Sequence, residues 1–199
     1  MRPYTSIILS LLILFTTTSA LAESINGRFG LTGKLGALVP LKDSDISGID
    51  FETSTGFTGG GGVIYGFGNN LAAELEVSHT PSMDVEIGGN EVAEAELTDI
   101  SFGIVYRLMI ANRLVPYIGG GVDAIRGDIS DSKLDWTVGG HARAGVDYFL
   151  YRRVALNADM RYIFAAKSDI EQNGVKVGEF DPMSFVATIG VKLFLPDDL

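Results

Sequence analysis

The chain has 199 residues, a formal net charge of −10, two histidines and no cysteine. The missing cysteines exclude disulfides and thiolate metal sites. The acidic excess sets nucleic acid aside as a partner, and the length suits a single domain.

The N-terminus reads as a secretory signal peptide. Met1-Arg2 is followed by an apolar run from Ile7 to Phe15, then Thr16-Thr17-Thr18-Ser19 and an A-x-A site, Ala20-Leu21-Ala22. The run is short of the roughly 20 residues a membrane helix needs. With no lipobox cysteine, a lipoprotein anchor is set aside. Cleavage is expected before Glu23, giving a signal peptide at 1–22 and a mature domain at 23–199.

Beyond that point the hydrophobic pattern has period two, the mark of a strand. Strand one is predicted over 28–37, with Phe29, Leu31, Leu35 and Ala37 on one face and Thr32 and Lys34 on the other. A polar segment, 39–55, leads to strand two at 56–67, which turns at Gly68-Asn69-Asn70. Strand three, 71–79, sets Leu71, Ala73, Leu75 and Val77 against Glu74 and Glu76. Segment 80–98 is expected to be an acidic loop. Strand four, 99–109, carries Ile100, Phe102, Ile104, Tyr106 and Leu108 on its apolar face and Arg107 on the other. After Ala111-Asn112-Arg113, strand five runs from Val115 to Ala124 with Asp123 inward, and a loop is expected at 125–135.

Residues 136–164 hold the clearest signal. Trp136, Val138, Ala142, Ala144, Val146 and Tyr148 alternate with His141, Arg143 and Asp147. After Leu150-Tyr151-Arg152-Arg153, Val154, Leu156, Ala158, Met160, Tyr162 and Phe164 alternate with Asn157, Asp159 and Arg161. The loop at 165–182 contains Asn173-Gly174 and is expected to form a hairpin above the membrane. Strand eight, 183–195, points Phe185, Ala187, Ile189, Val191, Leu193 and Leu195 outward, with Lys192 inward.

The apolar faces are long and uncharged, and long connections alternate strictly with short turns. Spanning strands need about 9–11 residues with an apolar lipid face. The pattern predicts an all-β fold, an eight-stranded antiparallel up-and-down transmembrane barrel. A soluble barrel of the lipocalin type would place its apolar side chains inside instead. Aromatics near the strand ends, among them Tyr65, Tyr106, Trp136, Tyr148 and Tyr162, suit interfacial girdles.

The inward charges are Lys34, Arg107, Arg143, Arg161 and Lys192 against Glu74, Glu76, Asp123, Asp147 and Asp159. So narrow a barrel holds little beyond its own side chains, and buried ions must pair. These residues form either a salt-bridged plug or the lining of a narrow polar pore. Asp84, Glu86, Glu91, Glu94 and Glu96 make the 80–98 loop acidic, able to meet divalent cations or lipopolysaccharide, yet their spacing fits no defined calcium loop. Arg126-Gly127-Asp128, placed in an extracellular loop, is too short a motif to carry weight. Gly59–Gly62 and Gly119–Gly121 lack the ending of a phosphate loop. His141 is expected inside the barrel and His79 near the outer rim.

The segments Pro116-Tyr117-Ile118-Gly119-Gly120-Gly121-Val122, Gly145-Val146-Asp147-Tyr148-Phe149-Leu150 with Asn157, and Gly190-Val191-Lys192-Leu193-Phe194-Leu195 resemble the small outer-membrane barrels of the OmpW and OmpA-like superfamily. The resemblance implies either of two roles. One is an OmpW-like narrow channel or conduit for small solutes, hydrophobic ones included. The other is a closed structural or surface-interaction barrel of OmpA type. It also implies a monomer in the outer membrane with both termini periplasmic. Outer-membrane lipid, lipopolysaccharide and the assembly machinery are its implied partners. Two departures stand out. Leu195 takes the place of the usual terminal aromatic, and the charged interior differs from the apolar lumen that the OmpW resemblance implies and is closer to OmpA-type barrels, though no peptidoglycan-binding domain, and so no cell-wall tether, is expected after strand eight. Outer-membrane lipid A deacylases carry His-x-Ser-Asn, whereas this chain reads His79-Thr80-Pro81-Ser82, with proline at the serine position. No catalytic activity, cofactor or metal site is therefore expected.

Overall fold

The computed structural model describes residues 24–41, 44–46, 49–87, 90–110, 113–129, 132–133, 136–165, 168–172, 175–180 and 182–195. Within them lie strands β1 (Phe29–Pro40), β2 (Ser44–Ile46), β3 (Ile49–Thr53), β4 (Gly56–Gly68), β5 (Leu71–Ile87), β6 (Asn90–Arg107) and β7 (Leu114–Ile129). They are followed by β8 (Ser132–Lys133), β9 (Thr137–Tyr151), β10 (Val154–Ala165), β11 (Ser168–Gln172), β12 (Val175–Phe180) and β13 (Ser184–Leu195). The expected signal peptide lies outside the described residues.

Eight of these strands close a barrel. β1, β4, β5, β6, β7, β9, β10 and β13 pair antiparallel in that order, and β13 returns to β1 with Phe29 opposite Leu195 and Pro40 opposite Ser184. Closure leaves the barrel wall without the open edge that lipid could not satisfy. The short turns sit at one end. At the β4–β5 turn, Gly68, Asn69 and Asn70 all take positive φ (91°, 50° and 64°), which explains this choice of residues.

The predicted faces match the side-chain directions. On β10, Ala155, Asn157, Asp159, Arg161 and Ile163 are buried while Leu156, Met160, Tyr162 and Phe164 are exposed to the surroundings. The exposed band extends around the barrel through Leu31, Val63, Leu75, Phe102, Ile118 and Leu193. Aromatic rings cluster near its margins, with Phe29 and Tyr65 4.5 Å apart between centroids.

Segment 80–98 is not the expected loop. β5 and β6 run on well past the band as a long hairpin, with register shifts between Thr80 and Met83 and between Val85 and Glu86. The polarity of the two faces inverts at this height. Met83, Val85, Ala95 and Leu97 turn inward, whereas Asp84, Glu94 and Glu96 face out. Outside this part of the wall is water rather than hydrocarbon, so the charged side chains belong there. Loop 125–135 is corrected in the same way. Arg126-Gly127-Asp128 lies in β7, paired with β6 and β8, and Arg126 Nη2 is 3.7 Å from Asp128 Oδ1.

The predicted hairpin of the last long connection is formed by β11 and β12, its Asn173-Gly174 tip lying outside the described residues. β12 pairs with β2, β2 with β3, and β3 with the outer part of β5. The long-connection end thus carries a sheet that joins three of the connections.

Candidate functional site

The interior is the candidate site, and it is layered along the barrel axis. At the short-turn end Ile64, Val105, Val115, Phe149, Ala155 and Phe194 form an apolar cluster. At the long-connection end Leu38, Met83, Leu97, Ile125, Ile163 and Val186 form a second. The inward charges lie between them. β10 shows the order within one strand: Ala155 in the first cluster, Asn157, Asp159 and Arg161 in the polar layer, Ile163 in the second.

All ten charged residues singled out by the alternation are buried, and they fall into two groups. The larger centres on Arg143 of β9. Its Nη1 donates to Glu74 Oε2 at 2.5 Å, and its Nη2 to Asp159 Oδ2 at 3.0 Å. Lys192 Nζ donates to the other Glu74 oxygen at 2.8 Å and lies 3.4 Å from Asp147 Oδ1. Arg107 Nη1 donates to Asp147 Oδ2 at 2.6 Å. Lys34 pairs with Glu76 and lies 3.9 Å from Asp159. Two neutral groups complete this cluster. Tyr117 Oη donates to Asp159 at 2.5 Å, and Asn157 Nδ2 bonds both Asp147 Oδ1 at 2.7 Å and Tyr117 Oη at 3.0 Å. Lys192 Nζ also sits 4.7 Å from the centre of the Tyr117 ring, within cation–π range.

The smaller group sits towards the long-connection end. Arg161 Nη2 is 2.9 Å from Asp99 Oδ2, and its Nη1 donates to Ser101 Oγ at 2.8 Å and lies 3.7 Å from Asp123. His141 Nδ1 meets Asp123 Oδ1 at 2.9 Å. Inward glycines Gly103 and Gly121 make room for this imidazole, since a Cβ on either would press on the ring.

Sequence reading missed Asp99, Tyr117 and Ser101 as partners. For Asp99 the signal was present: Ile100 and Phe102 face out and Arg107 faces in, so the odd positions of β6 point inward. With Asp99 included, six carboxylates stand against five Lys and Arg in the polar layers.

A cavity of about 20 Å³ lies beside Lys34, Thr58, Glu76 and Arg161, room for about one water. Paired in this way, the buried ions offset one another's cost of leaving water.

His79 faces outward, its Nδ1 3.0 Å from Thr98 Oγ1. Among the described residues no three His, Asp or Glu side chains are placed to hold a metal.

A closed antiparallel barrel with an apolar outer band and a charged interior defines an outer-membrane β-barrel protein. The chain belongs to the outer membrane protein beta-barrel domain family, whose sequence model matches residues 8–181. Its fold is similar to that of OprG from Pseudomonas aeruginosa, with a TM-score of 0.67 at 20% identity over 88% of this chain and 97% of that one. Neisserial surface protein A gives 0.59 at 20% identity, covering 84% and 97% of the two chains. Outer membrane protein W of E. coli gives 0.52 at 18%, covering 85% and 98%. No curated protein sequence matches the chain.

Proposed function

We propose that this protein is an axially sealed outer-membrane barrel that works through its surfaces rather than through a water-filled pore. The observation that carries this reading is the paired charge layer between two apolar clusters, with room for about one water beside it. The role is structural or surface-interacting. The barrel is inserted as a monomer by the outer-membrane assembly machinery after cleavage before Glu23. Its short turns and termini face the periplasm, and the acidic hairpins, with Asp84, Glu94 and Glu96 outward, meet lipopolysaccharide or dissolved cations. The test is swelling of proteoliposomes in small sugars. No swelling beyond lipid alone is expected, and size-dependent swelling contradicts the seal.

A second reading, a conduit for small hydrophobic solutes, has one observation in its favour. The interior towards the long-connection end is apolar, lined by Leu97, Ile125, Ile163 and Val186 above the Arg161 layer. An apolar molecule entering there would have to leave sideways into the bilayer, because the charge layer blocks the axis. Uptake of a small alkane by cells carrying the protein, lost in Leu97→Asp, would favour this reading.

A further inference from the structure

The two charged groups inside the barrel differ in their balance. In the larger, Lys34, Arg107, Arg143 and Lys192 meet Glu74, Glu76, Asp147 and Asp159, four cations against four carboxylates. In the smaller, Arg161 stands against both Asp99 and Asp123. Arg28, the remaining buried cation among the described residues, lies at the short-turn rim against the Phe194 ring and donates to the Arg152 carbonyl. The smaller group is therefore one positive charge short.

His141 stands at that shortfall. Its Nδ1 lies 2.9 and 3.0 Å from the two oxygens of Asp123, and its Nε2 has no hydrogen-bond partner among the described residues. The ring is buried in the hollow that Gly103 and Gly121 leave. The charged groups gathered around it are Asp123 on β7, Asp99 on β6, Arg161 on β10, Glu76 on β5 and Arg143 on β9 itself. Of these, Glu76 and Arg143 belong to the larger group, 3.5 Å from each other. Ile125 and Ile163, two residues beyond Asp123 and Arg161 on their strands, are buried in the apolar cluster that covers this level.

The distances divide the smaller group into two close pairs. Arg161 is 2.9 Å from Asp99 and His141 is 2.9 Å from Asp123, whereas Arg161 and Asp123 are 3.7 Å apart. With a neutral ring, the nearest cation to Asp123 is an arginine already closer to Asp99. With a second proton on the ring, each carboxylate has its own cation. The bond from Nδ1 is then charge-assisted, roughly twice as strong as its neutral counterpart. The alternative is a buried charge without compensation, which is costly.

We infer that the barrel binds one proton at this level: His141 is an imidazolium paired with Asp123 at neutral pH, so that the six carboxylates of the polar layers face six cations. The pair is a pH-sensitive element of the fold. Loss of the proton in alkali leaves the smaller group with one unbalanced negative charge beneath Ile125 and Ile163. The folded barrel holds a proton that the unfolded chain releases more readily, so stability falls as the pH rises through that loss. The charge state stands whether or not the axis is closed to solutes.

The test is ring-nitrogen NMR of the folded protein in lipid bicelles, with histidine labelled with nitrogen-15. The chain has two histidines, and His79→Gln, on the outer face, assigns the signals. Both nitrogens of His141 are expected to carry protons at neutral pH, with one released in alkali. Asp123→Asn removes the charge that holds the proton and should give a singly protonated ring at neutral pH, which a merely structural role for Asp123 would not do. The urea midpoint of wild type is expected to fall with pH across the release that NMR records. A neutral His141 ring in folded wild type at neutral pH overturns the inference, with the proton on Asp99 or absent. That spectrum decides even where Asp123→Asn does not fold. A midpoint that holds steady across the release overturns the pH-sensitive element.

Discussion

Arg161 of β10 and Asp99 of β6 meet across the barrel, Nη2 2.9 Å from Oδ2, with both side chains shut off from solvent. Arg161 is the cation that serves Asp99, Ser101 and Asp123 together. Truncating it leaves two buried carboxylates facing each other. Arg161→Ala is expected to destabilise the barrel by about 3 kcal/mol in urea unfolding from lipid vesicles. An unchanged midpoint would mean that this layer contributes nothing to the fold.

Tyr117→Phe removes a single oxygen from the larger group. It takes a hydrogen bond from Asp159 and an acceptor from Asn157, both buried. A loss of about 1–3 kcal/mol is expected for polar groups stranded without a partner. The same unfolding experiment measures it, and a gain in stability would show that the hydroxyl is not part of the packing.

Val146→Arg probes the outer wall instead. Val146 sits in the row Val146, Ala158, Ile189, Leu35 and Gly59, and that row faces the membrane. An arginine at mid-membrane on a lipid face costs roughly 2–4 kcal/mol. A neutral result would place this row outside the hydrocarbon.

The sequence made the strands legible wherever lipid bathed the wall, because an uncharged face alternating with charges has one reading. It also marked Lys34, Glu74, Arg143 and Asp159 as inward, since their phase opposes Leu35, Leu75, Ala144 and Ala158. The strand ends were obscured by a change of solvent and, on β5, by the register shift between Thr80 and Met83 that moves the inward phase from even to odd positions. At Met83, Val85, Ala95 and Leu97 the alternation persists, but apolar now points in and Glu94 and Glu96 point out. A reader searching for an apolar outer face sees a loop there. The pairing of Tyr117 with Asp159, and the split of the charges into two groups, depend on how side chains reach across the lumen, which periodicity does not encode. The neighbourhood of the wall's glycines was hidden for a related reason. Gly33 of β1 and the Gly59–Gly61 run of β4 come from separate stretches of chain and become one surface only through the β1–β4 register.

The seal of the barrel axis is tested most directly by single-channel recording of refolded 23–199 in planar bilayers, after heat-modifiable migration confirms the fold. The account predicts a silent membrane for wild type. Discrete openings would contradict it, and their loss or alteration in Arg143→Ala would show that ions pass through the layer described as a plug.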